Sequence, residues 1–389
     1  MKEGNTTSYD PQQLLEVNKI SVAPLDARQI PLSDIFENIK YIPLETSEKS
    51  LLGVVSKVQV SDEHLFFQTE KELLVFTRNG KFDYKISKTG KGPGEYALFI
   101  DFWVDTQNRT IDILDGRLGK TIIYDWNGFY LKEQNHAIKG FSLVKWDEAE
   151  YFIYTAGQLN ANSTSKLNFI QANTLVWEQF PIQPNEYDFL YFGGVNNFYY
   201  AHPAKKLNFL YTTNDTIYEL TEKGASPRMI IDFGEHKIPQ EIISQKYEDV
   251  ADFVFSMRKT DYAYGYYSFN ETENHIVFGF AYKEKLYLVF YQKQSGTTKI
   301  ASSFLDDLNI KGTVQDINFG KLPYANINNK LFFILHPFDF ITGMDSIKER
   351  LSEQDWASYK KEHPDLIQIY ARLKLDDNPL LVEATLKKF

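Results

Sequence analysis

The chain has 389 residues, 43% of them hydrophobic and 15% aromatic, with 30 Phe, 25 Tyr and no Cys. The aromatic bias favours strands and an all-β protein, and the lack of cysteine excludes disulfides, thiol catalysis and zinc-thiolate sites. A formal net charge of −10 would repel a phosphate backbone, which sets nucleic acid aside as a partner.

The start, Met1-Lys2-Glu3-Gly4-Asn5-Thr6-Thr7, has no apolar stretch of the kind a signal peptide carries, and no run reaches the roughly 18 to 20 apolar residues needed to cross a bilayer. Taken literally this reads as a cytosolic chain, although one processed after export would read the same. Residues 1–17 are expected to be a disordered tether, and 18–389 one domain. Asn18 to Ala23 and Lys40 to Glu45 alternate as short strands, with a single helical turn over Ser33 to Asn38 between them. Pro43 suits an edge strand, because it has no N–H to give to a neighbour.

From Ser56 onward one segment recurs: a strand of large apolar residues, a polar turn and a second strand. Copies start at Leu73, Thr121, Leu167, Thr216, Leu286 and Leu380, at spacings of 48, 46, 49, 70 and 94 residues. About 45 residues is the length of a four-stranded propeller blade. The two long intervals hold helical patterns, Ile238 to Lys259 and Asp345 to Leu375, the second divided into Ser346 to Leu351, Trp356 to Lys361 and Asp365 to Arg372. Without these insertions both spacings approach the common period. The fold expected is a six-bladed β-propeller with helical insertions before blade five and within blade six. The sixth copy stops short of an outer strand, and Lys40 to Glu45 is the donor that would close the ring. Two separate β-sandwiches are the alternative, since they also show short strands at regular spacing.

Gly90-Lys-Gly-Pro-Gly-Glu-Tyr96 fixes a tight loop between blades one and two, where loops surround the channel mouth. Pro184-Asn-Glu-Tyr187 partly echoes it, and Tyr262 and Tyr324 hold roughly similar places in blades five and six. Lys91, Glu95, Tyr96, Glu186, Tyr187, Tyr262 and Tyr324 are therefore the candidate binding residues. Their plainer role is architectural: Gly and Pro make the turn, Glu caps backbone N–H groups and Tyr wedges between blades.

Catalytic patterns are missing. There is no Gly-x-Ser-x-Gly elbow, His-Glu-x-x-His, P-loop or dinucleotide loop in a strand-turn-helix setting. Asp101, Asp105, Asp112 and Asp115 could supply oxygen ligands to Ca²⁺. Strand alternation spreads them among turn formers, so they are read as solvated turn carboxylates and no cofactor is expected. The seven His (64, 136, 202, 236, 275, 336 and 363) are read as surface or satisfied loop residues.

Ile39-Lys-Tyr-Ile-Pro-Leu-Glu-Thr46, Val75-Phe-Thr-Arg-Asn-Gly-Lys-Phe82, Gly90 to Tyr96, Asn214-Asp-Thr-Ile-Tyr-Glu-Leu220, Ile231-Asp-Phe-Gly234 and Asn378-Pro-Leu-Leu-Val382 resemble the six-bladed β-propeller lipoproteins of Bacteroides-type bacteria. That family is similar to the NHL-repeat propellers. The resemblance spans nearly the whole chain in order. It implies a lipid-anchored protein of the periplasm or outer-membrane surface, whose lipobox cysteine is absent from this sequence. It carries over no catalytic residues.

The function expected is a monomeric, non-enzymatic binding or scaffolding module of the cell envelope, for a glycan, a peptide or an envelope protein. The alternative is a cation-dependent propeller hydrolase or lyase acting at the channel mouth. A third reading makes the helical insertions a docking surface and predicts exposed apolar side chains there.

Overall fold

All six copies of the recurring segment are the third strand of a sheet. A third strand is paired on both edges and covered on both faces, so consecutive residues must be apolar. Leu73, Leu74, Val75 and Phe76 accordingly have no exposed surface. In the computed structural model, described here for residues 17–389 except 137, 157–159, 183–196, 202–205, 212–213, 311, 317–318 and 389, the six small sheets make a six-bladed β-propeller. The expected tether lies almost wholly outside the described residues.

The chain divides into two compact units. The first, Met1–Pro24 with Lys88–Phe269, carries blades two, three and four, whose third strands are Lys120–Asp125, Ser165–Gln171 and Thr216–Thr221. Blade four gains a fifth strand, Asn18–Ser21, which lies parallel to Gly224–Asp232 with Ile20 opposite Ile231. The helical pattern at Ile238 to Lys259 resolves into two short helices, α1 (Gln240–Ile243) and α2 (Val250–Met257). Asp249 caps α2 by accepting from Asp252 N at 2.8 Å, and Phe253 anchors it edge-on against Tyr247. The cap starts a new helix, which is why the expected single helix is two.

The second unit, Leu25–Ser87 with Asn270–Phe389, holds blade one, blade six and most of blade five. Blade six is built as foreseen, with an N-terminal strand paired antiparallel to Leu380–Leu386. That strand is Phe36–Pro43 rather than Lys40 to Glu45, and the helical turn before it shrinks to Leu32–Asp34. Phe36 supplies the reason. Its buried ring meets Phe290, Phe304 and Phe333, which draws the chain into extended form earlier. An unforeseen strand, Arg28–Pro31, lies parallel to Thr298–Asp306 at the outside of blade five.

The second insertion forms α3 (Pro337–Arg350), α4 (Glu353–Glu362) and α5 (Pro364–Tyr370). α3 begins nine residues before the expected helix. Pro337 stands in its first turn, and Phe340, Met344 and Ile347 form one buried stripe in a core shared with Leu380 and Val382 of blade six. Asp339 and Thr342, interleaved with aromatics, hide that stripe behind a strand-like alternation.

Candidate functional site

The Gly90 to Tyr96 loop is braced from within. Tyr96 N donates to Lys88 O at 3.0 Å, Lys88 N donates to the Tyr96 hydroxyl at 3.1 Å, and Gly90 N donates to Tyr96 O at 2.9 Å. The Glu95 carboxylate accepts from Gly92 N at 2.9 Å and fills the space where a Gly90 side chain would stand. Gly94 has φ +72 and lies against the Tyr130 ring, while its carbonyl accepts from the Tyr124 hydroxyl at 2.6 Å. The Tyr96 ring is 1% exposed and packs on Phe99, so its side chain is held inside the fold rather than presented outward. Lys91 is exposed.

The other candidates are scattered. Glu186, Tyr187 and the rest of the Pro184 to Tyr187 echo lie outside the described residues. Tyr262 is half-buried just before the strand Ala263–Glu271, its N–H given to Thr260 Oγ1 at 3.3 Å. Tyr324 packs against the core shared by blades one and six, and burial raises its hydroxyl pKa.

The acidic cluster of blade two is not a set of solvated turns. Asp101, Asp112 and Asp115 are buried. Asp101 accepts from Ser142 Oγ and Leu143 N, and Asp115 from Ala97, Arg117 and Leu118 N. Lys145 Nζ lies 2.9 Å from Asp105 Oδ2 and 3.6 Å from Asp112 Oδ2, with all three side chains at most 13% exposed. Burial raises the Asp112 pKa against the pull of Lys145. Burial also opposes the charge on Asp105, but hydrogen bonds from Asn108 and the Lys145 ammonium outweigh it and hold that carboxyl below the usual range. These carboxylates serve protein donors. Among the described residues no group of three or more His, Cys, Asp or Glu is placed to hold a metal ion.

His136 and His275 are both buried: His136 is a loop residue with Nε2 3.2 Å from Thr121 Oγ1, whereas His275 departs from expectation by opening the strand His275–Tyr282, and burial lowers each to a pKa of about 4. His202 lies outside the described residues.

In the second unit a groove of about 780 Å³ opens between the strand Phe36–Pro43 and the α4–α5 hairpin. Tyr41 and Pro43 form one wall, and Leu366, Ile369 and Leu373 the other. Tyr41 is steadied by Phe340, with ring centroids 5.5 Å apart. Asn309 Nδ2 donates to Ile39 O at 3.3 Å, and Asn309 O accepts the Tyr359 hydroxyl at 2.7 Å, which ties α4 to the strand. The size suits a small ligand or a short peptide. None of the five described candidate residues lines it. Pro43, marking an edge, and the α5 pattern were its two sequence signals, but more than 300 positions separate them.

Exposed apolar side chains do occur in the insertions: Phe255 on α2, Phe338 on α3 and Leu375 after α5 are 57%, 63% and 66% exposed. No helix among the described residues is long and apolar enough to cross a membrane.

A family model described as "Domain of unknown function (DUF4934)" matches residues 17–385. Among solved structures, a candidate exported protein from Bacteroides fragilis is 15% identical, with a TM-score of 0.73 over 95% of this chain and 100% of its own. A member of the duf4221 family from Bacteroides vulgatus is 10% identical, with a TM-score of 0.53 over 90% and 97%. Such likeness shows a common fold. No curated protein matches.

Proposed function

The chain belongs to the DUF4934 family, and from that premise we propose that it is a non-enzymatic binding propeller of the bacterial cell envelope which holds a peptide segment of a partner protein. The observation that carries this reading is the groove between Phe36–Pro43 and the α4–α5 hairpin. It joins a strand edge to an apolar wall, the combination used where extended peptides are recognised by strand addition. The description of the Bacteroides fragilis structure as an exported protein supports an envelope location; a lipid anchor is proposed on the sequence resemblance alone.

Paired glycan and peptide arrays, probed with the native chain and with Gln368→Trp, test the reading. Gln368 is exposed and lines the groove, so tryptophan there would obstruct it without touching the core. Peptide signals that disappear in the variant are expected. Binding to glycans alone, or to peptides equally in both proteins, would overturn the proposal.

A further inference from the structure

The insertion that carries α1 and α2, between the strands Gly224–Asp232 and Ala263–Glu271, is closed at its foot. There Lys237 and Ala263 form an isolated parallel bridge, and His236 Nδ1–H donates to Asp261 O at 2.7 Å. Lys237 Nζ lies 2.8 Å from Asp215 Oδ2, and Asp215 Oδ1 accepts the hydroxyl of Tyr266. Both flanks of the insertion are thus fastened to one carboxylate.

Above the foot the insertion is tied to itself. The Tyr247 hydroxyl donates to Ile242 O at 2.8 Å, which joins α1 to the link that follows it. Asp249 Oδ1 accepts from Asp252 N and Asp252 Oδ2 from Glu248 N, which joins that link to α2. Of residues 238–262 only Tyr247, Phe253 and Met257 are buried, whereas the strand Ala263–Glu271 is buried throughout. The Phe253 ring is edge-on to Tyr247 and to Tyr264, with centroids 5.1 and 6.4 Å apart. At four and eight residues, α1 and α2 are too short to persist without such packing. A segment tied to itself, closed at its foot and anchored by three side chains opens at less than the free energy of global unfolding.

We propose that residues 238–262 are a lid, which opens as one unit about the Lys237–Ala263 foot and uncovers the Tyr264 ring while the strands of blade four stay paired. Tyr264 is 5% exposed with the lid closed, so opening presents an aromatic face that the closed chain conceals.

Because the chain has no cysteine, single thiols can report the motion. Met257→Cys places one on the buried side of the lid and Val144→Cys places one in blade three, at positions 2% and 0% exposed. Their labelling by a thiol reagent in native buffer is set beside hydrogen exchange of the native chain. The diagnostic amides are Phe253 and Arg258, which donate to Asp249 O and Val254 O, and Ile231, which donates to Asp215 O. We expect labelling at position 257 to be about a hundredfold faster than at 144, and exchange at Phe253 and Arg258 to exceed that at Ile231 by a similar factor. Phe253→Ala should speed both lid readouts about tenfold and leave Ile231 unchanged. Equal labelling at 257 and 144 would overturn the lid, since the insertion would then open only with the whole chain. Fast exchange in α2 with the thiol at 257 still protected would reduce the motion to fraying and overturn the uncovering of Tyr264. Protection lost at Ile231 together with α2 would overturn the foot as the hinge.

Discussion

The hydroxyl of Tyr151 donates to Asp112 Oδ2 at 2.7 Å, and neither residue has any exposed surface. Asp112 lies in the second strand of blade two and Tyr151 in the second strand of blade three, so the bond joins neighbouring blades through their interior. Lys145 and the Thr110 hydroxyl, 3.0 Å from Asp112 Oδ1, complete the surroundings of that carboxylate. Tyr151→Phe should cost about 1 to 3 kcal/mol by leaving a buried acceptor short of a donor. Lys145→Met should cost about 3 to 5 kcal/mol, because it strands two carboxylates. Urea unfolding of the two variants measures both, and equal losses would dissolve the distinction.

The buried histidines set a pH dependence. His136 and His275 have folded pKa values of about 4, below the unfolded value of 6.5, so the unfolded chain binds protons that the folded one refuses. Their effect is absent above pH 6.5, and stability falls as pH drops from 6.5 toward 4, by up to about 3 kcal/mol per histidine. His136→Gln and His275→Gln should each flatten the slope in that window. A slope unaltered in both would assign the acid sensitivity to other groups.

Glycine substitutions in the Gly90 to Tyr96 loop should separate by cause. At Gly94 both the positive φ and the Tyr130 ring, 2.9 Å from where a Cβ would stand, oppose a side chain, so Gly94→Ala should cost about 1 to 3 kcal/mol. At Gly90 the obstacle is the Glu95 carboxylate alone, the mobile end of a long side chain. Adding Glu95→Ala should therefore relieve Gly90→Ala and do nothing for Gly94→Ala, as thermal unfolding of the four proteins would reveal.

Asn378 is a clasp on the segment that leads out of blade six. Its Nδ2 donates to Glu45 O and Ser50 O and its Oδ1 accepts from Leu52 N, each at 2.8 Å. Asn378→Ala should destabilise the chain by about 2 to 4 kcal/mol, since three backbone groups lose their partner. Hydrogen exchange should rise over 45–52 before it rises in the strands of blade six. Uniform acceleration across the unit would instead show that the segment does not open separately.

The candidate site was less legible than the fold. The Gly90 loop stood out because glycine and proline constrain the backbone locally, but composition cannot tell whether Tyr96 points outward or inward. Asp112 looked like a solvated turn residue because its short-range neighbours are turn formers. Lys145 and Tyr151, 33 and 39 positions away, are what make its burial tolerable. Similarly, Pro43 announced an edge without indicating that α5 would come to stand beside it.

The blade repeat was determined by the sequence alone, since a strand enclosed on both faces must be apolar at successive positions wherever it lies. The donation of an N-terminal strand to blade six was also readable, because the sixth repeat ends before a fourth strand is complete. Only the tertiary structure decided that this strand begins at Phe36, where a cage of Phe290, Phe304 and Phe333 receives the ring, and that α3 reaches back to Pro337. It alone set Tyr41 opposite Leu366 and Ile369, because the position of an edge is local information while what faces it depends on packing between distant segments.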